Sequence, residues 1–199
     1  MTTPKTAPLL LKAADYSEAT PFSLDAPVQG ANGGRYHTIS ANGKPIALLF
    51  KDCLVKPCVN GSGRPFLVAD HEECKELMTV LEAVRQRCGG LLGADMTGKA
   101  FLPLMAESKS LIKRPPSMFL NLVAKMGPLR DLEKKEVDYK EVVNKPCKMA
   151  LVIHLSSVWE KDGAYSLQPR VSQMVLQEVV PAFQVDQMDL GEVDLSELL

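Results

Sequence analysis

The chain has 199 residues, 46% of them apolar and 24% charged, which is material for one domain with its own core and matches neither a disordered chain nor a membrane protein. Its five cysteines are an odd number with no Cys-x-x-Cys pair, and Cys53 and Cys58 lack a nearby Cys or His pair, so neither a disulfide framework nor a zinc centre is expected. The net charge of −1 conceals a division: residues 184–199 carry five acids and no Lys or Arg, leaving 19 acidic against 23 basic residues elsewhere.

Residues 1–34 are rich in Pro, Ala, Thr, Ser and Gly without sustained periodicity and read as a flexible arm. Their apolar patch is four residues long and broken by Lys12, too short for a secretory signal, and no run approaches the length of a membrane span. The expected location is therefore inside a cell, in the cytoplasm or nucleus, with no membrane contact. A domain is expected over 35–183 and an acidic tail over 184–199.

RYHTIS and KPIALLFKDCLV read as two strands joined by Asn42-Gly43, a dipeptide that supplies the positive backbone angles of a hairpin turn. FLVA after the NGSGRP loop reads as a third. An amphipathic helix is expected over about 71–88, capped by Asp70 with Glu73 three residues on, and stopped at Gly89-Gly90; Cys74, Leu77, Met78, Leu81 and Val84 form its apolar stripe. The proline-punctuated stretches of 100–123 read as edge strands or loops, and 126–146 as a charged loop with a helical turn.

The strongest signal is C-terminal. CKMALVIHLSSVWE and YSLQPRVSQMVLQEVV flank KDGA, and Asp162-Gly163 favours a type I′ turn that sets Trp159 opposite Ser166 and Glu160 opposite Tyr165. Strict alternation would place Met149, Leu151, Ile153, Leu155, Ser157 and Trp159 on one face. The fold class is mainly β, a β-rich α+β chain, with an OB-like five-stranded barrel or small sandwich, one covering helix and a long C-terminal hairpin.

No catalytic motif gives an enzymatic reading a starting residue. GADMTGKA at 93–100 has the spacing of a phosphate loop, but Ala100 stands where Ser or Thr would ligate magnesium, and the segment follows a helix instead of a strand. No cofactor and no metal are expected. Binding of single-stranded nucleic acid asks only for cations along phosphates and aromatic faces under bases. The candidates are Lys51, Lys56, Arg64, Lys99, Lys109, Lys113, Arg114, Lys148, Lys161 and Arg170 for charge, and Trp159 and Tyr165, with Tyr36 and Phe119, for stacking.

The short strands with one packed helix, the hairpin KMALVIHLSSVWEKDGAYSLQPRVSQMVLQEV and the detached tail ending DLSELL resemble the single-stranded DNA-binding proteins of tailed phages and large DNA viruses. That resemblance implies an OB-fold barrel working in replication, recombination or repair. It also implies a tail, here Asp186, Asp189, Glu192, Asp194, Glu197 and Leu198, that competes with DNA for the basic groove and recruits replication or recombination proteins. A homo-oligomer is compatible with this reading. The competing one is an assembly protein of a virus particle or large complex, tethered through its two ends.

Overall fold

The computed structural model describes residues 7–30, 33–70, 72–94, 100–106, 116–124 and 126–181. In chain order these form β1 (Leu9–Lys12), a 3-10 turn (Ala13–Asp15), β2 (Ser23–Leu24), β3 (Val28–Gln29), β4 (Arg35–Ala41), β5 (Lys44–Val59), β6 (Pro65–Asp70), α1 (Lys75–Leu92), β7 (Met105–Ala106), β8 (Ser117–Leu122), β9 (Arg130–Asp131), α2 (Tyr139–Val142), β10 (Cys147–Lys161) and β11 (Ala164–Val179). Of the described residues 50% are in strands and 16% in helices, so they are mainly β with one principal helix. None of the described helices is long and apolar enough to cross a membrane.

Five strands close on themselves. β5 pairs with β6, β6 with β8, β8 in parallel with β11, β11 with β10, and β10 returns to β5. The inward side chains, among them Leu48, Phe50, Leu67, Leu120, Met149, Leu151 and Ile153, are fully buried, each worth roughly 1.5–3 kcal/mol of apolar transfer.

Bulges let long strands serve this closed wall. At Asp52, whose φ is +54°, the inward phase of β5 changes from Ile46, Leu48 and Phe50 to Cys53 and Val55. Gln177 Nε2 donates to the Asp52 carboxylate at 2.9 Å and so holds the kink. β10 has a register shift between Leu155 and Ser157, after which Val158 is inward and Trp159 outward. The alternation that would end the apolar row on Trp159 is corrected by this one extra residue.

The hairpin otherwise matches its sequence signal: Trp159 pairs with Ser166, Glu160 with Tyr165, and Asp162 and Gly163 take φ of +52° and +77°. Asn42 and Gly43 likewise turn β4 into β5 with positive φ. Three differences concern the middle of the chain. The helix starts at Lys75, because residues to Asp70 complete β6 against β8, and its N-cap is Cys74, whose thiol donates to the Leu54 carbonyl at 3.0 Å. It runs through Gly89-Gly90 and stops at Gly93, whose φ of +61° gives a left-handed C-cap. β8, read as an edge strand or loop, is an inner strand of the ring with β6 and β11 on its two sides, and the proline before it lies just outside it.

Residues 1–34, expected as a flexible arm, contribute three of the strands where they are described. β1 runs parallel to β5, with Leu9 opposite Ile46, while β2 and β3 add to β4. α1 lies over the core through Leu77, Met78, Leu81, Val84 and Cys88.

Candidate nucleic-acid interface

The pleat of β6 and β8 sends Leu67, Ala69, Met118 and Leu120 inward and Phe66, Val68, Phe119 and Asn121 outward. Phe119 is 53% exposed, paired with Val68 of β6 on one side and bordering a gap toward β11 on the other. Its centroid lies 6.0 Å from that of Phe66, with the rings tilted by 45°. Phe66 is steadied from behind: the Tyr139 hydroxyl points at the Phe66 carbonyl at 2.9 Å and the Cys58 carbonyl at 3.3 Å, tying β5 to β6. Burial pushes that hydroxyl up to about 12, so it stays a donor.

Strand register places cations around the two rings. Lys56 on β5 is opposite Val68, and Val68 is opposite Phe119, so the three form one outward row. In the next row Phe66 is opposite Asn121, and Asn121 is opposite Arg170 on β11. Arg64 leads into β6 from the 60–64 turn, where the Asn60 side chain accepts from the backbone N–H of Arg64 at 2.9 Å. Lys56, Arg64 and Arg170 are all exposed.

Other candidates lie elsewhere. Trp159, Lys161 and Tyr165 sit at the β10–β11 tip. The Trp159 ring is laid over the backbone of the arm: a Cβ on Gly34 would come within 2.5 Å of Trp159 Cζ2, and one on Gly30 within 2.8 Å of its Cη2. Tyr165 packs toward Phe101, at 6.0 Å between centroids, and toward His37, at 6.4 Å. Beside them Arg35 is hydrogen-bonded to Glu160, and His37 Nε2 is 3.6 Å from the same carboxylate. Lys51 is at the β5 kink, and Lys148 on β10 pairs with Glu178 at 3.6 Å. Tyr36 is opposite Trp159 on β4. Lys99, Lys109, Lys113, Arg114 and the whole tail lie outside the described residues, as does most of the 93–99 glycine loop.

Phe66 and Val68 were absent from the sequence-derived candidates. Their signal is the alternation in Phe66-Leu67-Val68-Ala69, which puts an aromatic and a β-branched residue on the face opposite the core.

All five cysteines are buried free thiols; desolvation pushes Cys88 up to about 12, and a hydrogen bond with Cys74 together with burial raises Cys53. Among the described residues, no group of three or more His, Cys, Asp or Glu is placed to hold a metal ion.

The chain matches no protein-family model and, by sequence, no curated protein. Its fold is similar to solved structures of the single-stranded DNA-binding protein from bacteriophage Enc34. The similarity to that protein is at TM-score 0.43 and 10% identity over 88% of this chain and 98% of that one. To its C-terminal truncation it is at 0.42 and 10%, over 81% and 96%. To its complex with single-stranded DNA it is at 0.39 and 10%, over 84% and 99%.

Proposed function

We propose that this chain binds single-stranded DNA, non-enzymatically and with tolerance for sequence, on the outward face of β6 and β8. The observation that carries the reading is the exposed Phe119 beside Phe66, flanked in register by Lys56 and Arg170 and approached by Arg64. Aromatic faces accept any base and cations track the phosphates, which is the chemistry a sequence-tolerant strand binder needs.

The closure order supports an OB-type barrel. Numbering the five ring strands along the chain gives 1-2-3-5-4 and back to 1, with the third and fifth parallel. Barrels of the OB type bind oligonucleotides on strands 2 and 3 and at the loops between strands 1 and 2 and between 4 and 5. Those places correspond here to β6 and β8, the 60–64 turn with Arg64, and the Asp162-Gly163 tip beside Lys161 and Trp159.

The acidic residues 186–197 extend this reading: tethered on the same chain as the basic face, they compete with DNA for it and offer a contact for replication or recombination proteins. The test is fluorescence anisotropy of labelled oligo-dT with the full chain and with a form ending at residue 181, at low salt and at about 0.3 M. Saturable binding that weakens with salt and tightens on truncation is expected. No saturable binding by either form would overturn the proposal.

A further inference from the structure

β8 and β11 are hydrogen-bonded over two residue pairs, Asn121 with Arg170 and Leu122 with Val171. On the other side of these pairs the strands part. β8 takes β7 as a partner, with Met105 opposite Met118, while Tyr165 bridges to Phe101 and its carbonyl accepts from Leu102 N at 2.8 Å. Pro169 stands at the parting and has no N–H to give to a neighbouring strand. The gap in the wall is a cleft of about 200 Å³ between Phe119 on β8 and residues 166–169 of β11, closed on one side by residues 102–104. That is smaller than the roughly 300–1,000 Å³ of pockets for drug-sized ligands, and is on the scale of one planar base.

The cleft is apolar on its floor and polar at one wall. Leu104, Met118 and Leu167 line the floor, and Phe119 presents its ring at the mouth. On the β11 wall Gln168 Nε2 donates to Ser166 Oγ at 2.9 Å. This commits one amide hydrogen and leaves the Gln168 carbonyl oxygen as an acceptor and the Ser166 hydroxyl hydrogen as a donor, side by side. Each of the four DNA bases carries an N–H next to an acceptor on its pairing edge, so this wall can meet any of them.

We propose that the cleft between β8 and β11 is a single-base slot, in which one base of the bound strand turns past Phe119 and sets its edge against Gln168 and Ser166. The inference rests on the reading of the β6–β8 face as a single-stranded DNA surface, and adds to it a polar anchor that is indifferent to sequence. A base contact of this kind contributes affinity without neutralising a phosphate, which separates it from the surrounding cations.

The experiment compares wild type with Gln168→Leu, Phe119→Ala and Arg170→Ala on oligo-dT, oligo-dC and oligo-dA across a salt series. Gln168→Leu is expected to lose about tenfold in affinity on all three, with the salt slope unchanged. Arg170→Ala is expected to flatten the slope. In parallel, the side-chain amide signals of Gln168 in ¹⁵N-labelled wild-type protein should move on saturation with oligo-dT; this reading needs no variant to fold. Wild-type affinity in Gln168→Leu, or fixed Gln168 signals, while Phe119→Ala still weakens binding would sink the slot and leave the surface standing. Unaltered binding in Phe119→Ala and Arg170→Ala would remove the surface itself, and the slot with it.

Discussion

Phe66 and Phe119 stand on neighbouring strands with their rings 6.0 Å apart, both on the side of the sheet away from the core. Both rings offer faces on which a base can stack. Phe119→Ala should therefore weaken oligo-dT binding by about 1–3 kcal/mol, roughly 5- to 150-fold, and leave the thermal midpoint within a degree or two because little core contact is lost. Anisotropy titration beside a melting curve checks both halves. A variant that melts early with unchanged affinity would make the pair structural.

Lys56, Arg64 and Arg170 surround those rings, whereas Lys148 is paired with Glu178 on another strand pair. If the first three meet phosphates, replacing each with Ala should reduce the slope of log affinity against log salt by about 0.7, and Lys148→Ala should not. The readout is the slope, so a general loss of affinity cannot imitate it.

Much of this organisation is written locally in the chain, and the rest is not. Asp162-Gly163 and two long alternating runs set the hairpin register down to the Glu160–Tyr165 pair, because turn chemistry and strand pleat are both short-range. The bulge after Leu155 depends on how β10 passes from β5 to β4, and it moves Trp159 from the core row to the outer face; nothing in Ser156-Ser157 alone requires it. The helix start was displaced for a similar reason: Asp70 has the chemistry of a cap, but pairing with Ser117 claims it for β6. Ring closure rests on two parallel residue pairs between β8 and β11, too few to leave a periodic signal, and the Phe66–Phe119 pair depends on the β6–β8 register.

Gly34 has no room for a side chain, since a Cβ there would meet Trp159 Cζ2 at 2.5 Å and the Glu160 carbonyl at 2.9 Å. Gly34→Ala should lift the arm off the indole and cost about 1–3 kcal/mol, the usual scale of overpacking. Chemical denaturation followed by the emission of Trp159 measures it, and a red-shifted native spectrum should accompany the loss. Ala at Gly61, where a Cβ would meet nothing, is the control.

Glu160 faces Arg35 across the β4–β10 pairing. The Arg35 hydrogen bond, working against some desolvation and helped by His37, holds its carboxyl below the ordinary range. A carboxylate whose folded pKa is depressed contributes stability above its unfolded value, near 4.3, and loses that contribution as pH falls through the lower folded value. Wild type should therefore lose stability more steeply than Glu160→Gln below about pH 4.5, and the two should run parallel above it. Melting midpoints across pH 2.5–7 decide this; equal acid slopes would show that the pair is too solvated to matter.

Arg85 is 9% exposed on α1, bound to Glu82 at 2.7–3.0 Å, and it donates through Nη1 to the carbonyl of Phe101 at 2.9 Å. Its guanidinium carbon also lies 5.6 Å from the Phe101 ring centroid, and Phe101 is fully buried. This one side chain therefore fastens residues 100–102, the support of the cleft beside Phe119, to the helix. Replacing it with Leu keeps much of the bulk but strands a buried carbonyl, at a cost on the order of 2–3 kcal/mol. The same change should loosen the 102–104 wall, so Arg85→Leu should lose oligo-dT affinity even at temperatures where it is fully folded. Hydrogen exchange at Leu102, whose N–H bonds to Tyr165, reports that loosening directly. Unchanged protection there, with stability lost, would confine Arg85 to packing the helix.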